Sequence, residues 1–377
     1  MSKVSYLSRA HLKDLQGTAL VRLDFNAQDD AWRIRAAIPT VRLLAEAAQK
    51  VIVVSHRGRP APIKIVRGKP QGFNPSLSLR RDRAILERFL GRKVIFVPYF
   101  AFPKIRDAVR RAPPHSVLLL ENMRMFPGEK TNDRAFAKNL ASLADFYVNN
   151  AFANSHRAHA SMSAVAKFLP SYAGLELERE IESLSRVIKH PKHPLVFLLG
   201  GSKARDKLGM LRYFSRTASW FLLGGGAANT LFRLKKIDIK RSLVENSPEH
   251  EKELKKFLHS KKVILPIDYQ WHKDRIVDIG PRTVRLFRQK IAGARTIVWS
   301  GPMGWIEHKP FDRGNKEIAE AVAANRHAFS LTGGGETVTF LKKHHLEGKF
   351  SFISTGGGAM LDFLAGKKLP GIEALKR

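Results

Sequence analysis

The regular alternation of short apolar runs with amphipathic stretches is the feature that most constrains the fold of this 377-residue chain. Eleven runs have the length and composition of buried strands, and the segments between them place apolar residues at helical spacing. The runs lie at 18–25, 51–56, 93–98, 116–121, 146–152, 195–200, 220–225, 263–268, 296–301, 329–334 and in the 350s. Strands that alternate with helices predict βαβ units and parallel sheets covered on both faces. Eleven strands exceed the usual size of one doubly wound sheet, so the pattern predicts two α/β domains.

The segment 171–194 is the predicted boundary between these domains. It begins near Gly174, continues as one charged helix, and breaks at Pro191 and Pro194. A helix joining two domains is our interpretation, and an ordinary crossover helix is the alternative. The segment 57–76 is basic and rich in proline and glycine, and is expected to be a mobile loop.

Composition excludes several classes of protein. The absence of cysteine excludes a disulfide scaffold, a thiolate nucleophile, a zinc ribbon and an iron–sulfur cluster. No signal-peptide core and no apolar run of about 18 residues is present, so a soluble cytoplasmic protein is expected. Lys and Arg total 66 against 33 Asp and Glu, a net charge of +33. That charge suits nucleic acid, an anionic membrane face or acidic metabolites.

Glycines follow the apolar runs of the second half. They are Gly200, Gly201, Gly224, Gly225, Gly226, Gly301, Gly333, Gly334, Gly335, Gly356, Gly357 and Gly358. One such triplet is more often a plain turn, but five turns, most of them opening a helix, favour a nucleotide held at this sheet edge. The chain has no GxxxxGK[ST] motif and no GxGxxG at the first turn, which argues against a P-loop and a Rossmann dinucleotide site.

Cations and hydrogen-bonding groups take these positions in the first half. The set comprises Asp24, Asn26, Arg33, His56, Arg59, Arg124, His156, Arg157 and His159. A single arginine is more often surface charge, but together these groups fit a small, highly charged anion. The HRAH histidines lack acidic neighbours, so metal binding there is disfavoured. Lys203 and Lys207 follow the first glycine turn of the second half, and we expect both to project from the first turn of a helix toward phosphates, with solvated helix lysines as the alternative.

Twelve segments together resemble phosphoglycerate kinases. They are RLDFN (22–26), RIRAAIPT (33–40), SHRGRP (55–60), LLLENMRMFPGE (118–129), ASLADFYVNNAF (141–152), HRAHAS (156–161), GGSKARDKLG (200–209), LLGGGAANT (222–230), DIGPRT (278–283), VWSGPMGWIE (298–307), FSLTGGGET (329–337) and ISTGGGAMLDFLAGKKLPGIEAL (353–375). The segments occur in family order over nearly the whole chain.

The resemblance implies two doubly wound domains of similar size, joined by a helix and hinge, with the substrate cleft between them. An N-terminal phosphoglycerate-binding domain would span 1–173, with 360–377 returning to it. The interdomain helix would span 174–192, and a C-terminal nucleotide-binding domain 193–359. A monomer is implied.

The resemblance also implies roles for individual residues. The 3-phosphoglycerate pocket would comprise Asp24, Asn26, Arg33, His56, Arg59, Arg124 and Arg157. The nucleotide site would comprise Gly200, Gly201, Lys203, Lys207, Gly225, Gly226, Pro302, Glu307, Gly334, Gly335, Glu336 and Thr337. Catalysis would depend on Arg33, Lys203, Lys207, Gly335 and Gly358, and Glu336 would bind the Mg²⁺ that accompanies ATP or ADP.

The implied reaction is the reversible, glycolytic transfer of a phosphoryl group from 1,3-bisphosphoglycerate to ADP. Positioning and charge neutralisation perform most of such a reaction, and no general base is needed in the direction of ATP formation because the attacking oxygen is already anionic. Domain closure would bring the two substrates together and exclude water.

The chain departs from the family pattern at several positions. Glu336 and Asn150 stand where Asp is usual, Ala153 where Gly is usual, Ser300 where Asn is usual and Arg57 where Leu is usual. The 27–32 loop is also shorter than usual. Two other hypotheses stay open. The charge of the chain allows a kinase-derived protein that binds nucleic acid or another polyanion, and Glu336 allows a kinase whose turnover is impaired at that position. Weak secondary binding of nucleic acid is compatible with the kinase reading, and no membrane partner is expected.

Overall fold

Two compact units make up the protein in a computed structural model, which describes residues 4–26, 31–66 and 69–376. The first unit comprises the chain up to Ile181 together with the chain from Lys368 onward, and the second comprises Glu182–Lys367. Each unit contains a six-stranded sheet in which all neighbouring strands are parallel. The predicted architecture of two parallel-sheet α/β domains is confirmed.

The first unit alternates strands and helices around its sheet. Its strands are β1 (Thr18–Arg22), β2 (Lys50–Val54), β3 (Lys64–Val66), β4 (Lys69–Gln71), β5 (Val94–Val97), β6 (Ser116–Leu120), β7 (Phe146–Asn149) and β8 (Ser171–Ala173). Its helices are α1 (Trp32–Ala47), α2 (Arg80–Leu90), α3 (Phe102–Arg111), α4 (Arg134–Ala141), the start of α5 (Leu175–Lys189), and α13 (Pro370–Glu373) near the C-terminus. The strand order is β5-β6-β2-β1-β7-β8.

The second unit repeats this arrangement. Its strands are β9 (Leu195–Leu199), β10 (Trp220–Leu223), β11 (Val263–Ile264), β12 (Tyr269–His272), β13 (Arg275–Ile279), β14 (Thr296–Ser300), β15 (Phe329–Gly333) and β16 (Phe352–Ser354). Its helices after α5 are α6 (Arg205–Tyr213), α7 (Gly225–Leu234), α8 (Pro248–Lys255), α9 (Pro281–Ala292), α10 (Arg313–Ala324), α11 (Gly335–Lys343) and α12 (Gly358–Leu364). The strand order is β11-β10-β9-β14-β15-β16.

The apolar runs form strands because they are buried on both faces of each sheet. All five residues of β1, of β9 and of β14 are buried. Helices cover both faces, so strand residues that point in either direction leave water. No helix in the described part of the chain has the length and apolarity needed to cross a membrane.

Several short elements differ from the sequence-based expectations. The segment expected to be a loop at 57–76 contains the β3–β4 hairpin, and the run at 263–268 forms a strand only at Val263–Ile264. Strand β8 and the β12–β13 hairpin were not predicted. Each has five residues or fewer, and β3 is exposed along its length, so no apolar alternation marks it.

The chain passes between the two units at two places, within α5 and after α12. Along the chain, the first unit ends and the second begins within α5, between Ile181 and Glu182. The return to the first domain from about 360 stays a prediction; in this division the chain from Lys368 onward belongs to the first unit, and α12 packs on α6 in the second unit. Residues 27–30 of the short 27–32 loop lie outside the described residues.

Candidate functional site

Asp24 organises the first group of polar residues in the first unit. It follows β1, and its Oδ2 accepts a hydrogen bond of 2.6 Å from Nη1 of Arg33 at the start of α1. Its Oδ1 lies 4.0 Å from Nδ1 of His56, which follows β2. The backbone N–H of Asn26 donates to the same carboxylate. Because β1 and β2 are parallel neighbours, their ends lie together, and Asp24 fixes the side chain of Arg33 there.

His56 lies against a buried arginine that sequence analysis did not select. Nη2 of Arg22 is 3.1 Å from Nδ1 of His56, and burial and the Arg22 charge lower the pKa of His56 well below its usual value. Since a guanidinium can only donate, Nδ1 must accept, which leaves the proton on Nε2. Nε2 is buried and has no partner among the described residues. His56 is therefore a neutral donor available to an anion.

Two more arginines and a histidine join this cluster. Nη1 of Arg124 donates to the carbonyl of Gly58 at 2.6 Å, while its buried Nε has no partner among the described residues. Burial, followed by the charges of Arg157 and Arg22, lowers the pKa of Arg124 to about 10. Burial and the same arginine charges lower the pKa of His159 to about 4. Such mutual destabilisation of cations is relieved by a bound anion, and this is the electrostatic property of a phosphate or carboxylate site.

Two of the predicted pocket residues have different surroundings. Oδ1 of Asn26 accepts from the N–H of Gly58 at 2.8 Å, which ties the end of β1 to the segment after β2. Arg59 is exposed, and the structure shows no hydrogen bond or ion pair from its side chain within the described residues. The structure thus brings Asp24, Asn26, Arg33, His56, Arg124 and Arg157 together through direct contacts or electrostatic coupling, and leaves Arg59 in solvent beside them.

The lowered pKa of His159 predicts acid sensitivity. Between pH 6.5 and about 4 the unfolded chain binds a proton at this position and the folded chain does not, so the free energy of unfolding falls as the pH falls through this window. The loss is on the order of 3 kcal/mol at most. The free energy of unfolding is measured in urea, without phosphate, at pH 7 and at pH 4.5. The difference between the two values should be smaller in His159→Gln than in the parent. His259→Gln, at an exposed histidine, is the matched control, and an unchanged difference in His159→Gln would contradict the prediction.

Close backbone contacts connect the glycine turns of the second unit. The N–H of Gly201 donates to the carbonyl of Pro302 at 2.6 Å, and the carbonyl of Gly201 accepts from the N–H of Gly226 at 2.9 Å. A Cβ on Gly200 would collide with the carbonyl of Pro302, so only glycine fits between β9 and the turn after β14. The turns after three adjacent strands therefore form one continuous backbone surface.

Two adjoining cavities of about 560 and about 630 Å³ lie on this surface, and Gly201, Ser202 and Glu336 line both. The first is also lined by Gly225, Gly226, Pro302 and Glu307. The second is also lined by Gly200, Lys203, Lys207, Gly334, Gly335, Thr337, Gly357 and Gly358. All residues predicted for the nucleotide therefore border one of the two cavities. Both volumes lie in the range of small-molecule sites.

The two lysines differ in their surroundings. Lys207 lies in α6, is buried, and its Nζ donates to Oγ of Ser300 at 3.0 Å. Burial lowers the pKa of Lys207 to about 8, although the charges of Asp206 and Glu336 oppose this. Lys203 precedes α6, which begins at Arg205, and its side chain is exposed. The expectation that both lysines project from the first helical turn is wrong for Lys203, because α6 begins two residues later, at Arg205.

Glu336 occupies the first turn of α11, two residues after Gly334, whose φ is +104°. Its carboxylate is exposed and borders both cavities. Among the described residues there is no group of three or more acidic, histidine or cysteine side chains that would hold a metal ion alone. Mg²⁺ bound through one carboxylate and the phosphates of a nucleotide needs no such group, so the donor set fits a metal that arrives with the nucleotide.

Comparison with known proteins assigns this arrangement to a family. The family model described as Phosphoglycerate kinase matches residues 11–367. The chain is 38% identical over 393 residues to the phosphoglycerate kinase of Dictyoglomus turgidum, with 97% of each chain covered, and 40% identical over 384 residues to that of Thermomicrobium roseum, covering 94% and 95%. The structure of phosphoglycerate kinase from Coxiella burnetii superposes with a TM-score of 0.84 and 32% identity over 99% of both chains.

The chain belongs to the phosphoglycerate kinase family. Three of its departures from the family pattern, at Ser300, Arg57 and Asn150, have defined contacts. Ser300 accepts from Lys207, and Arg57 forms an ion pair with the buried Asp82. Oδ1 of Asn150 accepts from Oγ1 of Thr40 and from the N–H of Glu176 in α5, while its Nδ2 is buried without a partner among the described residues. A carboxylate could accept the same bonds without leaving a donor unpaired, which explains physically why aspartate suits this position in the family.

Sequence analysis missed the apolar part of the first cavity. Phe232, Tyr269 and Trp305 line it, and Asn229 supplies an amide group. Tyr269 belongs to the unpredicted β12–β13 hairpin, and its ring centroid lies 5.6 Å from that of Phe232. Aromatic side chains after a predicted nucleotide turn were the available signal for a base-binding wall.

Proposed function

We propose that this protein transfers a phosphoryl group between 1,3-bisphosphoglycerate and ADP, with the carboxylate of 3-phosphoglycerate as the acceptor in the reverse direction. The single observation that carries the proposal is the pairing of a cation-lined pocket in one unit with a glycine-lined nucleotide surface in the other, on a chain of the phosphoglycerate kinase family. The first unit would bind phosphoglycerate, and the second the nucleotide. A monomer is proposed because the family resemblance implies one.

The pocket of the first unit would hold the phosphate and carboxylate of phosphoglycerate. Arg124 and Arg157 provide charge, and neutral His56 provides an Nε2–H donor. Arg33, held by Asp24, would lie toward the carboxyl group at which phosphorus is transferred. Binding would restore the pKa of Arg124 and would offset the repulsion between the arginines.

The surface of the second unit would hold ADP or ATP. The base would occupy the cavity lined by Phe232 and Tyr269, with Glu307 at the ribose. The phosphates would follow the backbone N–H groups at the starts of α7, α11 and α12 toward Lys203 and Lys207. Glu336 would hold Mg²⁺ as part of the nucleotide complex, and that ion would neutralise phosphate oxygens when bound.

Transfer would proceed in line. An anionic β-phosphate oxygen of ADP forms a bond to the phosphorus of the acyl phosphate, while the bond from that phosphorus to the carboxyl oxygen breaks and leaves 3-phosphoglycerate. No proton moves, so no general base is required. The residues of this chain orient the two anions and neutralise the charge on the moving group, through Arg33 and Lys203 above all.

The decisive experiment measures ATP consumption that depends on 3-phosphoglycerate, coupled to an NADH-oxidising dehydrogenase, with Mg²⁺ varied. Turnover that requires all three components supports the proposal. Retained ATP binding without turnover at saturating substrates would establish the turnover-impaired alternative instead.

The pKa of Lys207 predicts a pH limit on nucleotide use. Because Lys207 loses its charge above about pH 8 in the free protein, kcat/KM for MgATP should fall as the pH rises through this value. Lys207→Arg keeps the charge, so this alkaline decline should move to higher pH. Lys235→Arg, at an exposed lysine of the same unit, should keep the decline in place. An identical profile in Lys207→Arg would show that another group titrates.

A further inference from the structure

A third cavity, of about 660 Å³, lies in the first unit and contains none of the residues predicted to bind substrate. Its apolar wall includes the rings of Phe73, Phe96 and Phe100, and its basic wall includes Arg80 and Arg81. We propose that this cavity binds single-stranded nucleic acid, with bases stacked on the phenylalanines and phosphates paired with the arginines.

The aromatic residues provide surfaces for stacking. The ring centroids of Phe73 and Phe100 lie 5.9 Å apart in an edge arrangement, and Phe100 packs against Phe126 at 5.1 Å, which anchors it. Phe73 is 38% exposed, so part of its ring is open to solvent. A planar base in the cavity would cover that ring.

The arginines are available for phosphates. Arg80 and Arg81 are exposed in the first turn of α2, and neither forms an ion pair with an acidic group in the described part of the chain. Arg80 lies 5.0 Å from the ring centroid of Phe96, so it borders the aromatic wall directly. By contrast, Arg83 pairs with Glu87 at 3.0 Å and Arg57 pairs with Asp82, which shows that neighbouring arginines already have acidic partners.

Glu121, the acidic residue that lines the cavity, repels a bound anion only weakly. Glu121 is buried, and its carboxylate accepts from Oγ of Ser78 and from the N–H groups of Leu79 and Asn122. These three donors offset its charge locally. The segment 57–83 contains eight basic residues and one acidic residue, so the surroundings of the cavity are strongly positive.

These properties favour a nucleic acid strand over the other polyanions that the composition allows. A free metabolite phosphate needs no aromatic wall, and the proposed kinase reaction uses none of these residues. An anionic membrane would be contacted by apolar side chains that project outward, whereas the three phenylalanines line a concavity of the size of a ligand site. Stacking on aromatic rings inside a basic groove is how single strands are bound without sequence readout.

The test is fluorescence anisotropy of labelled single-stranded oligonucleotides, with ADP and 3-phosphoglycerate in excess so that the proposed substrate sites are occupied. Affinity should rise with strand length from a mononucleotide to a ten-nucleotide strand, and should fall with salt. Phe73→Leu removes the exposed ring and should weaken binding roughly 5- to 150-fold, while Phe73→Tyr should retain it.

Charge reversal tests the arginines. Arg80→Glu with Arg81→Glu should lower the slope of log affinity against log salt by about 1.4, since two phosphate contacts are lost at about 0.7 each. Glutamates are tolerated in the first turn of a helix, so α2 should still form. Arg285→Glu with Arg326→Glu makes the same change of net charge at exposed positions of the second unit and is the matched control. Unfolding temperature and kinase turnover establish that each variant is folded.

Four results would overturn the proposal. Equal weakening by both charge-reversal pairs would show that only net charge matters. Unchanged binding in Phe73→Leu, or equal affinity for inorganic polyphosphate, would show that no base is stacked. Binding to vesicles of anionic lipid that is lost in the Arg80 and Arg81 variant, without binding of oligonucleotide, would assign the surface to a membrane.

Discussion

Replacing Arg33 by glutamine is expected to lower kcat by roughly 10³-fold or more, because one cation on the moving phosphoryl group can contribute about 10³–10⁵ in rate. Arg33 is suited to this role because Asp24 holds its Nη1 at 2.6 Å and the carbonyl of Asn26 accepts from the same nitrogen at 3.0 Å. Its orientation is therefore established before substrate arrives, and less entropy is lost in the transition state.

Arg35→Gln is the matched control. Arg35 is exposed on the same helix, two residues on, and its guanidinium lies over the ring of Phe89. We expect it to leave kcat unchanged, so the comparison separates loss of Arg33 from loss of one positive charge on α1. Steady-state kinetics in the coupled assay distinguishes the outcomes. A rise in KM for 3-phosphoglycerate with kcat retained in Arg33→Gln would mean that Arg33 binds substrate and does not stabilise the transition state.

The fold could be predicted from the sequence because burial on both faces makes each parallel strand a continuous apolar run. The runs at 18–25 and 296–301 contain β1 and β14, whose residues are all buried. Sequence analysis missed the elements that are exposed or very short, because these have no long run of apolar residues. Strand β3 is exposed, and β8 has three residues, too few for a period to be detected.

The position of the candidate site could be predicted for a related reason. Parallel strands end at one edge, so polar residues that follow successive strands meet there, as Asp24 and His56 do. Arg22 could not be recognised because it lies inside a strand pattern, and its long-range partners, His56 and the carbonyl of Val54, are brought to it by tertiary packing. The role of Arg59 stays a prediction, since its motif position alone does not determine which group its exposed side chain contacts.

The surplus of positive charge divides into parts with different physical consequences. Arg22, Arg124 and Arg157 are crowded and lower the pKa of the groups around them, which is a property of a binding site. Arg80 and Arg81 are exposed and show no such crowding. Net charge alone cannot distinguish these cases; burial and acidic partners can.

Removing the carboxylate of Glu336 is expected to have the second large effect. Glu336→Gln keeps the size of the side chain but supplies a weaker ligand to Mg²⁺, so kcat/KM for MgATP should fall about 100-fold, as for a displacement near 1 Å in a catalytic group. The concentration of Mg²⁺ that gives half-maximal turnover should rise. Asp362→Asn, which removes a carboxylate that lines the second cavity only, should leave that concentration unchanged.

Glu336→Asp keeps the negative charge of this side chain and changes only its length. The family pattern carries aspartate here, one methylene shorter, and the exposed position at the start of α11 leaves room for the nucleotide complex to adjust. We therefore expect Glu336→Asp to turn over at least as fast as the parent, at an equal or lower concentration of Mg²⁺. An inactive parent with an active Glu336→Asp would locate a defect of turnover at the metal. A dependence on Mg²⁺ that is the same in the parent, Glu336→Gln and Glu336→Asp would exclude Glu336 as a ligand, because a carboxylate that binds the ion cannot be neutralised without changing its affinity.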